Sequence, residues 1–130
     1  MKTLLALLLS ATTVAPALAD ERTETVKFAA GASSVTLKSS LKGYDGINYK
    51  IGARAGQVMA ISFKPSHGSC YYIVREPGKD ENLFDGTMDG YDYSGTLAAD
   101  GDYTVMVFQM RNAARRNETC KFALTVAIGG

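Results

Sequence analysis

Tryptophan is absent from the 130-residue chain, histidine occurs once, cysteine twice and proline three times. Each scarcity removes a class of chemistry. His67 sits in the loop-like run Pro65-Ser66-His67-Gly68-Ser69, and no Ser-His-Asp or Cys-His constellation can be argued around it. Zinc takes three or four His, Cys or carboxylate ligands, which one histidine and a pair of cysteines do not supply. A basic excess is also missing. Lys and Arg number 14 against 13 Asp and Glu, a net charge of +1, whereas affinity for nucleic acid comes largely from neutralised phosphates. No glycine-rich loop follows a strand and opens a helix, so a nucleotide phosphate has no seat. What is present is 46% hydrophobic residues and 13 glycines, the composition and length of one globular domain.

The first nineteen residues read as an export leader. Lys2 supplies a short positive segment, Leu4–Leu9 an apolar run, and Pro16 a break before the small-x-small site Ala17-Leu18-Ala19. The apolar run falls far short of the roughly 20 residues that span a bilayer, and no cysteine stands at the cut to carry a lipid. The expectation is a signal peptide over 1–19, a single domain over 20–130, a location outside the cytoplasm and no membrane anchor. With Lys2 removed, bases and acids balance, but not evenly along the chain. Asp20–Arg75 holds eight bases and four acids, Glu76–Asp102 eight acids and only Lys79, and Tyr103–Gly130 four bases and only Glu118. An acidic middle can be no more than solvated loops, or it can steer a cationic partner. Calcium is a weaker reading of the same stretch, because Asp85-Gly86-Thr87-Met88-Asp89-Gly90-Tyr91-Asp92 does not follow EF-hand spacing. No metal and no cofactor are expected.

Strand periodicity dominates the rest. Phe122, Leu124, Val126 and Ile128 alternate with Ala123, Thr125 and Ala127, which gives one large-apolar face. Tyr103–Met110 is apolar at nearly every position and reads as a strand buried on both sides. Further candidates are Thr23–Phe28, Ser34–Leu41, Ile47–Ala53, Val58–Phe63, Cys70–Val74, Tyr91–Leu97 and a short Leu83–Thr87, separated by glycine- and aspartate-bearing turns. The fold class is therefore all-β, a single-domain antiparallel β-sandwich of about eight strands. In an oxidising compartment Cys70 and Cys120 are expected to form a structural disulfide between two strands.

Between the last two strands lies Met110-Arg111-Asn112-Ala113-Ala114-Arg115-Arg116-Asn117-Glu118, longer and more basic than an ordinary hairpin loop. One helical turn there would set Arg111 and Arg115 on the same side. A solvated basic loop is the commonplace reading.

From Thr23 to Ile128 the sequence resembles the periplasmic inhibitors of goose-type lysozyme. The likeness is carried by Leu41-Lys42-Gly43-Tyr44-Asp45, Tyr49-Lys50-Ile51-Gly52-Ala53 with Ala55-Gly56-Gln57, Pro77-Gly78, Gly101-Asp102-Tyr103-Thr104-Val105, and above all Arg111-Asn112-Ala113-Ala114-Arg115. The related invertebrate-type inhibitors carry Ser-Gly-x-Tyr where this chain has Asp100-Gly101-Asp102-Tyr103. The resemblance implies a non-catalytic, periplasmic β-sandwich whose partner is a host lysozyme of g-type, with Arg111 and Arg115 entering the muramidase cleft and Tyr44 packed beside them. The strand pattern also resembles the small sandwich domains appended to secreted bacterial peptidases, which implies instead a binding module for cell wall or polysaccharide.

Overall fold

Alternating burial organises nine strands into two layers. The computed structural model describes residues 20–130, so the expected leader lies outside the described residues. The elements are β1 (Glu21–Thr25), β2 (Ser34–Lys42), β3 (Gly46–Ala53), β4 (Val58–Pro65), β5 (Cys70–Arg75), β6 (Asn82–Asp85), α1 (Gly86–Asp89), β7 (Asp92–Thr96), β8 (Gly101–Gln109), α2 (Arg111–Arg115) and β9 (Thr119–Gly129). One sheet has the order β1-β3-β8-β5-β6 and the other β2-β9-β4-β7. In β9, Cys120, Phe122, Leu124 and Val126 point inward. They face residues of the first sheet such as Tyr49, Tyr72, Val105 and Val107, and together these make one core. Phe63 of β4 spans the layers, packing edge-on against Tyr72 of β5 at a centroid distance of 5.2 Å and beside Phe122 at 5.6 Å. Such pairs add directional contact to plain area burial.

Buried tyrosines also need partners for their hydroxyls. Tyr72 donates to the Tyr91 carbonyl at 3.0 Å, and burial pushes its phenol above the usual tyrosine range. Tyr103 donates to the Ala99 carbonyl at 2.7 Å and accepts from the Ala99 amide at 3.2 Å. That tie fixes the entry into β8 in the manner of a tyrosine corner.

Each of the nine strands overlaps an expected segment, though β1 (Glu21–Thr25) ends three residues short of the expected Thr23–Phe28, and three further differences stand out. First, β8 is not buried on both sides. Tyr103, Val105, Val107 and Gln109 face the core while Thr104, Met106 and Phe108 are half-buried on the outside, because two layers leave an outer face with no third layer to cover it. Second, β1 runs parallel to β3. The chain crosses to the other sheet for β2 and returns, so the two strands point the same way. Third, the segment expected as a strand over Leu83–Thr87 is a strand only to Asp85. There the carboxylate accepts the Thr87 N–H at 2.9 Å and caps the one-turn α1. The Thr87 hydroxyl, donating to the same oxygen at 2.6 Å, and the Thr87 N–H hold the Asp85 carboxyl below the ordinary aspartate range.

The disulfide forms as expected. It joins Cys70, at the head of β5, to Cys120, near the head of β9, and so ties one sheet to the other.

Candidate functional site

Three connections cross between the sheets at the disulfide end of the sandwich: Gly43–Asp45 from β2 to β3, Ser66–Ser69 from β4 to β5, and Met110–Glu118 from β8 to β9. They are laced together. Gly43 N–H donates to the Glu118 carbonyl at 2.9 Å, Met110 N–H to the Ser69 carbonyl at 2.7 Å, and Ser66 N–H to the Lys121 carbonyl at 2.7 Å.

The basic segment becomes the short helix α2. Ala113 and Ala114 are its inward residues, almost wholly buried, and their small side chains let the helix sit close on the sandwich end. Ala114 N–H donates to the Met110 carbonyl at 2.9 Å, and Asn117, at φ 57°, turns the chain out of the helix toward β9. Arg111 and Arg115 stand four apart on the exposed side, as their spacing predicts. Among the described residues neither guanidinium has a hydrogen-bond or ion-pair partner. Arg116 differs, being paired with Glu118 at 3.1 Å.

Tyr44 lies on the neighbouring turn and is 56% exposed. The residue before it favours glycine. Gly43 has φ 60°, and a Cβ there would come within 2.7 Å of Asn117 Oδ1, on the segment leaving α2. Asp45, the residue after it, accepts the Lys42 N–H at 3.2 Å on one oxygen and the Asp20 N–H at 2.9 Å on the other. Tyr44 is thus displayed from a turn braced on both sides, directly against the segment that carries the arginines.

Sequence reasoning missed the group that locks this arrangement. Gln109, at the end of β8, is the buried polar residue among the described residues, only 6% exposed. Its Nε2 donates to the Glu118 carbonyl at 2.7 Å and the Gly43 carbonyl at 3.3 Å, while its Oε1 contacts His67 Nε2 at 2.8 Å. His67 Nδ1 accepts the Ser69 N–H at 3.1 Å, which assigns the proton to Nε2 and makes it the donor to Gln109. One amide therefore touches all three connections. A signal for it existed: Gln109 falls in phase with the inward positions Tyr103, Val105 and Val107, where a polar side chain needs a built partner.

His67 is part of that brace, with no nucleophile or carboxylate among its partners. Among the described residues no group of three or more His, Cys, Asp or Glu side chains could hold a metal ion, and no helix is long and apolar enough to cross a membrane. The acids of the middle stretch are mostly exposed along β6, α1, β7 and the adjoining turns, where Lys79 pairs with Glu76 at 2.9 Å.

The chain matches no protein-family model. It is 32% identical over 128 residues to the inhibitor of g-type lysozyme of Escherichia coli strain K12, an alignment covering 95% of this chain and 93% of that protein. Its structure superposes with a TM-score of 0.78 on crystalline PliG of Aeromonas hydrophila, a periplasmic inhibitor of g-type lysozyme. The two are 36% identical, and 85% of this chain and 99% of that one are covered. The Salmonella Typhimurium PliG superposes at 0.64 with 29% identity, covering 82% and 97%. The pre-peptidase C-terminal domain of a Bacillus anthracis collagenase superposes at 0.54 with 14% identity, covering 88% and 99%, and that likeness shows the sandwich fold alone.

Proposed function

Since the chain belongs to the family of inhibitors of g-type lysozyme, we propose that Tyr44, Arg111 and Arg115 form the plug with which it stoppers the muramidase cleft. The protein is a periplasmic inhibitor of lysozyme and not an enzyme. In this reading residues 1–19 are the export leader and residues 20–130 the mature inhibitor.

Glycoside hydrolysis by lysozymes runs on carboxyl groups held in a cleft, a protonated one as general acid and others ionised, so the cleft offers hydrogen-bond acceptors and negative charge to a cation that enters it. A guanidinium matches a carboxylate geometrically and can grip it through two parallel N–H bonds. The attraction strengthens once water is squeezed out, but desolvation opposes it, and the outcome depends on how well the cation is aimed. Aim is what the inhibitor supplies. α2 is seated on buried alanines, the tyrosine turn is hydrogen-bonded to the same segment, and a disulfide lies at the heads of the strands beneath. The backbone that carries the arginines has little conformational freedom left to lose on binding, so the ordering cost falls on the two side chains themselves. Tyr44 adds a large ring with only two side-chain torsions, the kind of residue that anchors interfaces.

What supports this reading is a pair of arginines, unpartnered among the described residues, on one helical turn whose segment is hydrogen-bonded to the turn that carries an exposed tyrosine. Titrating Arg111→Ala and Arg115→Ala into a g-type lysozyme acting on cell walls tests it. Each is expected to weaken inhibition by roughly 30-fold or more, the cost of leaving a buried charge unmatched. Thermal stability should barely move, because exposed side chains without partners contribute little to folding. Unchanged inhibition by both variants would overturn the plug.

A further inference from the structure

Beside Tyr44 the outer face of the five-stranded sheet is not flat. Ile47 is paired with Val107, so Gly46 and Phe108 are adjoining outward positions, and Gly46 has no side chain to set against the Phe108 ring. The result is a slot of about 250 Å³ lined by Glu21, Tyr44, Gly46, Met106 and Phe108. Tyr71 packs edge-on against Phe108 at 4.1 Å between ring centroids, which holds that wall upright. At the rim, Glu21 Oε1 accepts a hydrogen bond from Asn48 Nδ2 at 3.1 Å, and its other carboxylate oxygen has no partner among the described residues.

We propose that this slot receives a lysine or arginine side chain projecting from the lip of the lysozyme cleft. The inference rests on the plug reading, because Tyr44 is at once the exposed ring of the plug and one wall of the slot: a body that packs on Tyr44 lies over the opening. The chemistry of the lining selects the occupant. Two aromatic rings and a thioether suit the methylenes of a long basic side chain. An ammonium or guanidinium head is drawn to the ring faces and to a carboxylate waiting at the rim. An acidic occupant would be repelled by Glu21, and a short apolar one would cover the second Glu21 oxygen without giving it a partner. The inhibitor thus meets its enzyme with two opposite contacts side by side, cations into the acidic cleft and a cation received beside it.

Filling the slot from within is the test. A Cβ on Gly46 would lie 3.7 Å from the Val107 carbonyl oxygen and 3.9 Å from Glu21 Cγ, ordinary contact distances, and Gly46 is a strand residue, so Gly46→Val is compatible with the fold. Glu21→Gln removes the rim charge from an exposed strand and keeps the test open should Gly46→Val fold poorly. Both are compared with Arg111→Ala by titration against a g-type lysozyme at low and physiological salt. Gly46→Val is expected to weaken inhibition about tenfold, and Glu21→Gln by about three- to tenfold with a flatter salt dependence. Full inhibition by both, with loss in Arg111→Ala, overturns the slot and spares the plug. Loss in Gly46→Val with no change in Glu21→Gln overturns a cationic occupant. Full inhibition by all three and by Arg115→Ala places the contact elsewhere and overturns the slot and the plug together.

Discussion

Gln109 shows how much one side chain can determine. Its amide satisfies the Gly43 and Glu118 carbonyls and the His67 ring in a place water scarcely reaches. Gln109→Leu keeps the volume and removes every one of those partners. The expected loss is about 2–3 kcal/mol, the penalty for burying polar groups unpaired, visible as a fall of roughly 10 °C in the thermal midpoint. The effect should not stop at stability. With the amide gone, the tyrosine turn and α2 lose their shared fastening, so inhibition measured well below the midpoint also weakens. A core variant remote from this end, Leu97→Ala, provides the comparison: it should lower the midpoint and leave inhibition of the folded fraction intact. Equal inhibition by the two variants at matched folded fraction would show that the amide only stabilises.

At the scale of elements, the strands were legible because each has a face to bury. Alternation marked β9 and the segments that became β2 to β5 to within a residue or two. It failed at β1, where all five side chains are exposed and nothing distinguishes inward from outward. It failed again at Gly86–Thr87, where a capping carboxylate rather than hydrophobic pattern decides the conformation. The candidate site was legible only in pieces. The spacing of Arg111 and Arg115 told of a shared side, but the seating of their segment against the Tyr44 turn depends on hydrogen bonds between connections far apart in the chain, and no local pattern encodes those. The disulfide could be read from compartment and count. Its contribution can be tested at the same scale. With 50 residues between its cysteines, it closes a loop worth about 4 kcal/mol of denatured-state entropy. Urea titration of a Cys70→Ser, Cys120→Ser double variant should lose most of that. Because Cys120 lies just past α2, inhibition should become more temperature-sensitive than in the parent.

The whole molecule carries charge unevenly although its total is nearly balanced. Arg111 and Arg115, unpartnered among the described residues, crown one end, while Asp80, Glu81, Asp89 and Asp92 are exposed along the β6–α1–β7 side. A field of that shape orients an approaching partner before contact and shows itself in rate more than in final affinity. Stopped-flow association with a cationic g-type lysozyme is expected to slow several-fold between about 20 and 200 mM salt, as the Debye length shrinks. Replacing Asp80, Glu81 and Asp89 with their amides should flatten that slope and leave the dissociation rate nearly unchanged. A rate indifferent to salt would mean that the acidic side only keeps the protein soluble.

The main-chain nitrogen of Asp20 that reaches Asp45 acquires a second meaning if export cuts the chain after Ala19. It ceases to be an amide and becomes a free ammonium, so a neutral donor gives way to a charged one on the carboxylate next to Tyr44. The cut that releases the protein from the secretion machinery would then also tighten the turn that displays Tyr44, and the precursor still inside the cell would hold that turn more loosely than the finished molecule outside.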